Sequence, residues 1–192
     1  MTKGRIEAFS DGVIAIIITI MVLELKVPHG EDFSALIPLW PVFLSYVLSF
    51  IYVGIYWNNH HHMFHAVRHI SGAVMWANLH LLFWLSLMPF ATAFMGENHF
   101  APNTVAVYGL ALLMCAIAYT ILVRALLAIH SGDTAFAKAI GSDVKGKISL
   151  AAYIAGIAAS FFSGWLALAL FVAVAVMWFI PDRRFEKALA GQ

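Results

Sequence analysis

The sequence predicts an all-α integral membrane protein with six transmembrane helices, and three observations carry that prediction. Of its 192 residues, 62% are hydrophobic and 11% charged, against roughly 45–50% and 25% in soluble domains; the mean hydropathy is +0.87. The apolar residues gather into segments as long as a bilayer is thick. Lys and Arg accumulate in alternate links between those segments, the pattern that orients membrane helices. A single compact membrane domain over residues 1–192 is the economical organisation.

A helix crossing about 30 Å of hydrocarbon needs roughly 20 apolar residues. The first candidate runs from Phe9 to Val27, the second from Ser34 to Trp57, the third from Gly72 to Met95 and the fourth from Asn103 to Ile129. The fifth and sixth share Lys147 to Pro181, which is too long for one span and turns at Ser163-Gly164 into a tight helical hairpin. Pro89 removes a backbone donor inside the third span and is expected to kink it. The N-terminal MTKGRIEAFSDG is basic but does not read as a signal peptide, since the apolar run after it is of membrane length and contains Asp11. With six spans, Lys3, Arg5, Arg68, Lys138, Lys145, Lys147, Arg183, Arg184 and Lys187 fall on one side, and Glu31, Asp32 and Glu97 on the other. Both termini are therefore expected in the cytoplasm, and the longest polar link, His130 to Lys147, is expected to be a partly amphipathic cytoplasmic connection.

Composition also excludes. A net charge of +1 with scattered basic residues gives no surface for nucleic acid. The single cysteine, Cys115, lies in an apolar run and reads as a small core residue. There is neither a TVGYG-type carbonyl filter nor an Arg-rich voltage sensor. No catalytic residues and no cofactor are expected.

Polar groups inside apolar runs are the functional candidates, because each is costly at membrane depth. Ser10 and Asp11 stand at the mouth of the first span, where either is able to cap the helix. At 100° per residue, Phe9, Gly12, Ile16, Ile20 or Thr19, and Leu23 share one stripe, with Asp11 about 140° away and Ser10 about 120° away on the other side. The wheel leaves lipid, a partner helix and a pore open for that stripe. The segment WNNHHHMFHAVRHI, residues 57–70, ends the second span with His60, His61, His62, His65 and His69. His61, His65 and His69 have metal-site spacing, but no cysteine and few carboxylates converge on them. Asn78 and His80 of the third span need internal partners in lipid. Two rival readings follow: a haem-binding electron carrier using His61, His65 and His80, and a proton-coupled transporter or proton leak using Asp11 and the histidines.

Arg5-x-x-x-Phe9-Ser10-Asp11, followed by Gly12-Val13-Ile14-Ala15-Ile16-Ile17-Ile18-Thr19-Ile20, resembles the RxxxFSD signature of the transmembrane protein 175 family of potassium channels. Trp57, Asn59 and His60, Asn78, the Leu-Met-Pro-Phe stretch and the six-span layout resemble its prokaryotic single-repeat members. The resemblance implies a homotetramer in a prokaryotic cell membrane, with four first helices around a central potassium pathway. It implies a constriction at Ile16, further layers at Ile20 and Leu23, and a hydroxyl layer at Thr19 that affects selectivity. An apolar ring gates by dewetting and offers no ligands to replace hydration, so weak selectivity for K⁺ over Na⁺ is expected. Arg5, Ser10 and Asp11 are expected to tie the pore helix to Trp57, Asn59 and His60.

Overall fold

The computed structural model describes residues 2–67, 69–130 and 143–179. Arg68, Lys138, Arg183, Arg184 and Lys187, used above to orient the chain, lie outside the described residues. Every regular element described is helical: α1 (Lys3–Leu23), a 3-10 segment (Phe33–Leu39), α2 (Trp40–His65), α3 (Gly72–Ser86), α4 (Met88–Glu97), α5 (Pro102–Ile129), α6 (Val144–Ser160) and α7 (Gly164–Phe179). Ile- and Val-rich runs such as Ile14–Ile20 would favour strands in water. In hydrocarbon only a helix pairs every backbone group within one segment.

Among the described residues, four helical segments are long and apolar enough to cross a membrane: Lys3–Leu23, Phe33–His65, Gly72–Glu97 and Pro102–Ile129. The last two helices form a shorter hairpin of 17 and 16 residues, about 26 and 24 Å long at 1.5 Å per residue. Their turn occupies Phe161–Ser163, next to the expected Ser163-Gly164. The element ends differ from the sequence-based boundaries where polar residues extend a helix past the bilayer. Thus α1 starts at Lys3 and α2 continues through the histidines to His65. The second span opens with a 3-10 turn, where Pro38 lies inside the turn and Pro41 falls in the first turn of α2.

The third span is broken rather than merely bent. Pro89 has no N–H to offer the carbonyl a turn earlier, and its ring crowds that carbonyl. The chain tightens instead: Leu87 N–H reaches back to Trp84 O at 3.2 Å, and Ser86 Oγ donates to Phe83 O at 2.7 Å. From α4 to α5 the chain reverses through His99 and Phe100, both left-handed at φ 52° and 59°. The cost of that backbone is offset by burying the Phe100 ring against Trp40 and Trp165, at centroid distances of 5.7 and 5.2 Å.

Antiparallel neighbours place α1's N-terminus beside the C-terminus of α2, where Lys3 Nζ donates to His65 O at 3.0 Å. At the opposite end, Lys26 after α1 pairs with Glu97 at the end of α4 at 2.5 Å. The hydrogen bond to Glu97, and then its charge, raise the Lys26 pKa. Cys115 is wholly buried in the core.

One junction is unusually close. The Phe171 ring of α7, fully buried, inserts where α5 offers Gly109 and α6 offers Gly156. A Cβ on Gly109 would stand 2.6 Å from Phe171 Cζ, and one on Gly156 would overlap the same ring. Gly156→Ala is therefore expected to cost about 1–3 kcal/mol, read as a lower unfolding temperature in detergent. Phe171→Leu in the same chain should recover part of that loss.

Candidate functional site

The buried face of α1 carries Ile6, Ser10, Ile14, Ile17 and Met21. The opposite face, carrying Phe9, Gly12, Ile16, Thr19, Ile20 and Leu23, is exposed along its whole length. Ile16 is 57% and Leu23 77% exposed. The subunit thus leaves one side of an apolar helix uncovered, on the stripe separated by the helical wheel. Thr19 lies on that side, and its hydroxyl donates back to Ala15 O and Ile16 O at 3.1 and 2.9 Å. With its proton spent on the backbone, Thr19 presents oxygen lone pairs outward, which suits a cation.

What fixes the rotation of α1 is a chain of three buried side chains. Asn78 Nδ2 of α3 donates to Ser10 Oγ at 2.9 Å, and Asn78 Oδ1 accepts from His60 Nε2 of α2 at 2.8 Å. Exposures of 0% for Ser10, 1% for His60 and 2% for Asn78 put all three out of reach of solvent. Because the amide oxygen only accepts, His60 must carry its proton on Nε2. Its ring stacks on Phe64 with centroids 4.4 Å apart. Beside the chain, Trp57 Nε1 donates to Asp11 Oδ1 at 3.0 Å. Ser10 and Asp11 therefore act as interhelical partners: the N-cap position of α1 is Thr2, eight residues earlier.

Two residues expected in this network are elsewhere. Asn59 lies about 160° around α2 from Trp57, so the two cannot both face α1. Its Nδ2 donates to Ile55 O at 2.8 Å and its side chain lines a cavity with Tyr119 and Asp143. Arg5 lies on the exposed side of α1, and its side chain joins no hydrogen bond or ion pair among the described residues. Nor do the other histidines converge. His80 Nε2 accepts from Trp84 Nε1 at 2.9 Å, while His61 stacks between Trp57 and His65 along α2. No cluster of three or more metal-ligating side chains occurs among the described residues.

The sequence reading missed Thr92 and Ser49. Thr92 Oγ1 lies 2.6 Å from Ser49 Oγ, which lies 3.0 Å from the Tyr108 hydroxyl, so α4, α2 and α5 are joined by buried hydroxyls. Small hydroxyl residues on three different helices carry no spacing signal that would have linked them.

Comparison with known proteins agrees with this geometry. Residues 5–89 match the family described as endosomal/lysosomal potassium channel TMEM175. A potassium channel of Chryseobacterium sp. (strain P1-3) is 57% identical over 98% of both chains. The crystal structure of a lysosomal potassium-selective channel TMEM175 homolog from Chamaesiphon minutus superposes with a TM-score of 0.79. It is 32% identical and covers 93% of this chain and 96% of its own. The human endosomal/lysosomal proton channel TMEM175 is 36% identical over 47% of this chain, a match covering 20% of the human protein. An all-helical subunit with an exposed Ile stripe, held by buried polar bonds behind it, is thus a membrane channel subunit rather than an enzyme, and the chain belongs to the TMEM175 family.

Proposed function

We propose that four copies of this chain assemble around their first helices into a potassium-permeable leak channel, weakly selective for K⁺ over Na⁺. The assembly is read as lying in a prokaryotic cell membrane with six spans per subunit and both termini in the cytoplasm. The observation that carries the reading is the uncovered stripe of α1. A helix this apolar, rotationally fixed by Ser10 yet exposed at Phe9, Ile16, Ile20 and Leu23, suits closure of a ring with its own copies. Next to the stripe, Phe90 and Phe94 of α4 stack at 5.9 Å and are also exposed, an apolar seat for the adjacent copy. The names of the bacterial relatives point to K⁺ as the permeant ion.

In the assembly, Ile16 forms the narrowest ring, Ile20 and Leu23 the layers beyond it, and Thr19 an oxygen-bearing layer alongside. A ring of isoleucine loses its water when narrow and regains it when slightly wider, so small displacements of α1 open or close the path. Discrimination stays modest because no carbonyl cage replaces the hydration shell. The lone pairs left open at Thr19 are the available source of preference.

Reversal potentials and flux in reconstituted vesicles under K⁺/Na⁺ gradients test this directly. Ile16→Asn should wet the ring and raise K⁺ flux by roughly tenfold, equivalent to about 1.4 kcal/mol of barrier. Thr19→Val should shift the reversal potential while leaving assembly intact. Unchanged flux in the Ile16 variant would remove Ile16 from the pathway, and flux that demands a proton gradient would turn the reading toward proton coupling.

The anchor has its own signature. Asn78→Ala leaves the Ser10 hydroxyl and the His60 N–H without partners in a dry core, at about 1–3 kcal/mol for each group. It should lower the yield and unfolding temperature of the assembled channel far more than Asp11→Asn, which keeps an acceptor oxygen for Trp57. Neither should change the K⁺/Na⁺ ratio of channels that do assemble; a changed ratio for Asp11→Asn would bring Asp11 into the pore.

A further inference from the structure

At the end of the bundle that holds the N-terminus of α1, a cavity of about 40 Å³ lies between α2, α5, α6 and α7. At roughly 10–15 Å³ for each water, it has room for a few waters or one compact ligand head. Its walls are largely aromatic: Tyr56 meets Tyr119 edge to face at 6.0 Å, and Tyr153 and Trp178 line the same cavity.

The polar groups between these rings have largely spent their protons. Thr120 Oγ1 donates to Ala116 O and Ser149 Oγ donates to Lys145 O, each at 2.8 Å. Asn59 Nδ2 is bonded to Ile55 O, and Asp143 uses only Oδ1, to cap α6 through Gly146 N–H at 2.9 Å. Among the described residues, neither the Tyr56 nor the Tyr119 hydroxyl has a hydrogen-bond partner. The cavity is thus left with open acceptors, one carboxylate, two tyrosine hydroxyls that either donate or accept, and the faces of several π systems. That surplus is complementary to a positively charged donor, and aromatic faces attract ammonium groups. The protein uses the same attraction just outside, where Lys145 Nζ stands 5.7 Å from the centre of the Trp178 ring.

We propose that this cavity is a binding site for a compact organic cation, a small primary alkylammonium, separate from the ion pathway. Its three N–H groups are shared among Asp143 Oδ2, Asn59 Oδ1 and the tyrosine oxygens, while its carbon lies against the rings. The ligand's position between α5, α6 and α2, which packs on α1, gives it a means of stabilising the packed subunit.

The test is a titration of the purified, assembled channel in detergent with methylammonium chloride, against sodium chloride at matched ionic strength, followed by saturation-transfer NMR. Saturable binding of methylammonium is expected in the native chain. Asp143→Asn, which still caps α6 because asparagine caps as well as aspartate, should weaken it by about tenfold. Tyr119→Phe, which keeps the ring and removes only the hydroxyl, should weaken it severalfold, and Ile16→Asn should leave it unchanged. No saturable binding in the native chain, or binding indifferent to both cavity variants, overturns the site. Binding abolished by Ile16→Asn alone would place methylammonium in the ion pathway, overturning this site while leaving the pore reading standing.

Discussion

A polar side chain in hydrocarbon has to find its partner inside the protein, and the chain Ser10–Asn78–His60 is where this fold meets that demand. Apolar packing between membrane helices is weakly directional, because lipid tails offer similar contacts. Isoleucines on opposite faces of α1 would be nearly interchangeable if packing alone decided. The bond from Asn78 to Ser10 removes that freedom. It commits one face of α1 to the core and leaves Ile16 and Leu23 uncovered, so the chemistry of the exposed stripe depends on a hydroxyl that is not part of it.

The same constraint recurs across the core. Thr92, Ser49 and Tyr108 form a second buried linkage, and the Tyr52 hydroxyl donates to Phe171 O at 2.6 Å. Among the described residues, every buried side-chain nitrogen and oxygen has a hydrogen-bond partner. Full satisfaction is what allows a bundle with this many hydroxyls to remain in lipid without the unpaired groups that would destabilise it. The arrangement also explains why the histidines do not gather into a redox or metal centre: His60 and His80 are already engaged as hydrogen-bond partners.

Much of the helical layout was legible because apolar length and helix breakers are local signals. The runs around α1 to α5, the break ahead of Pro89 and the turn beside Gly164 each follow from a few adjacent residues. The ends of α1 and α2 were not legible, since polar residues extend a helix beyond the bilayer as readily as they end it. At the candidate site the stripe was readable from the wheel, but Asn59 was misplaced by its nearness in sequence to Trp57, two positions that point almost oppositely on a helix. The tyrosine-lined cavity was invisible for a different reason. Its walls come from four helices up to 126 residues apart, from Tyr52 to Trp178, and no spacing rule connects them.

The two attachments of α1 differ in kind, and the difference has a mechanical consequence. Near Ser10 the helix is clamped by the dry, directional bond from Asn78, while beyond Leu23 its far end is tethered through Lys26 and Glu97 at an exposed ion pair, a type of contact worth little and weakened by salt. Between them lie apolar contacts that permit sliding. The helix is a cantilever: Leu23 stands about 20 Å from the clamp and Ile16 about 9 Å at 1.5 Å per residue. Any tilt about Ser10 displaces Leu23 roughly twice as far as Ile16, so the leverage built into α1 moves the far end of its exposed stripe most and the middle of it least.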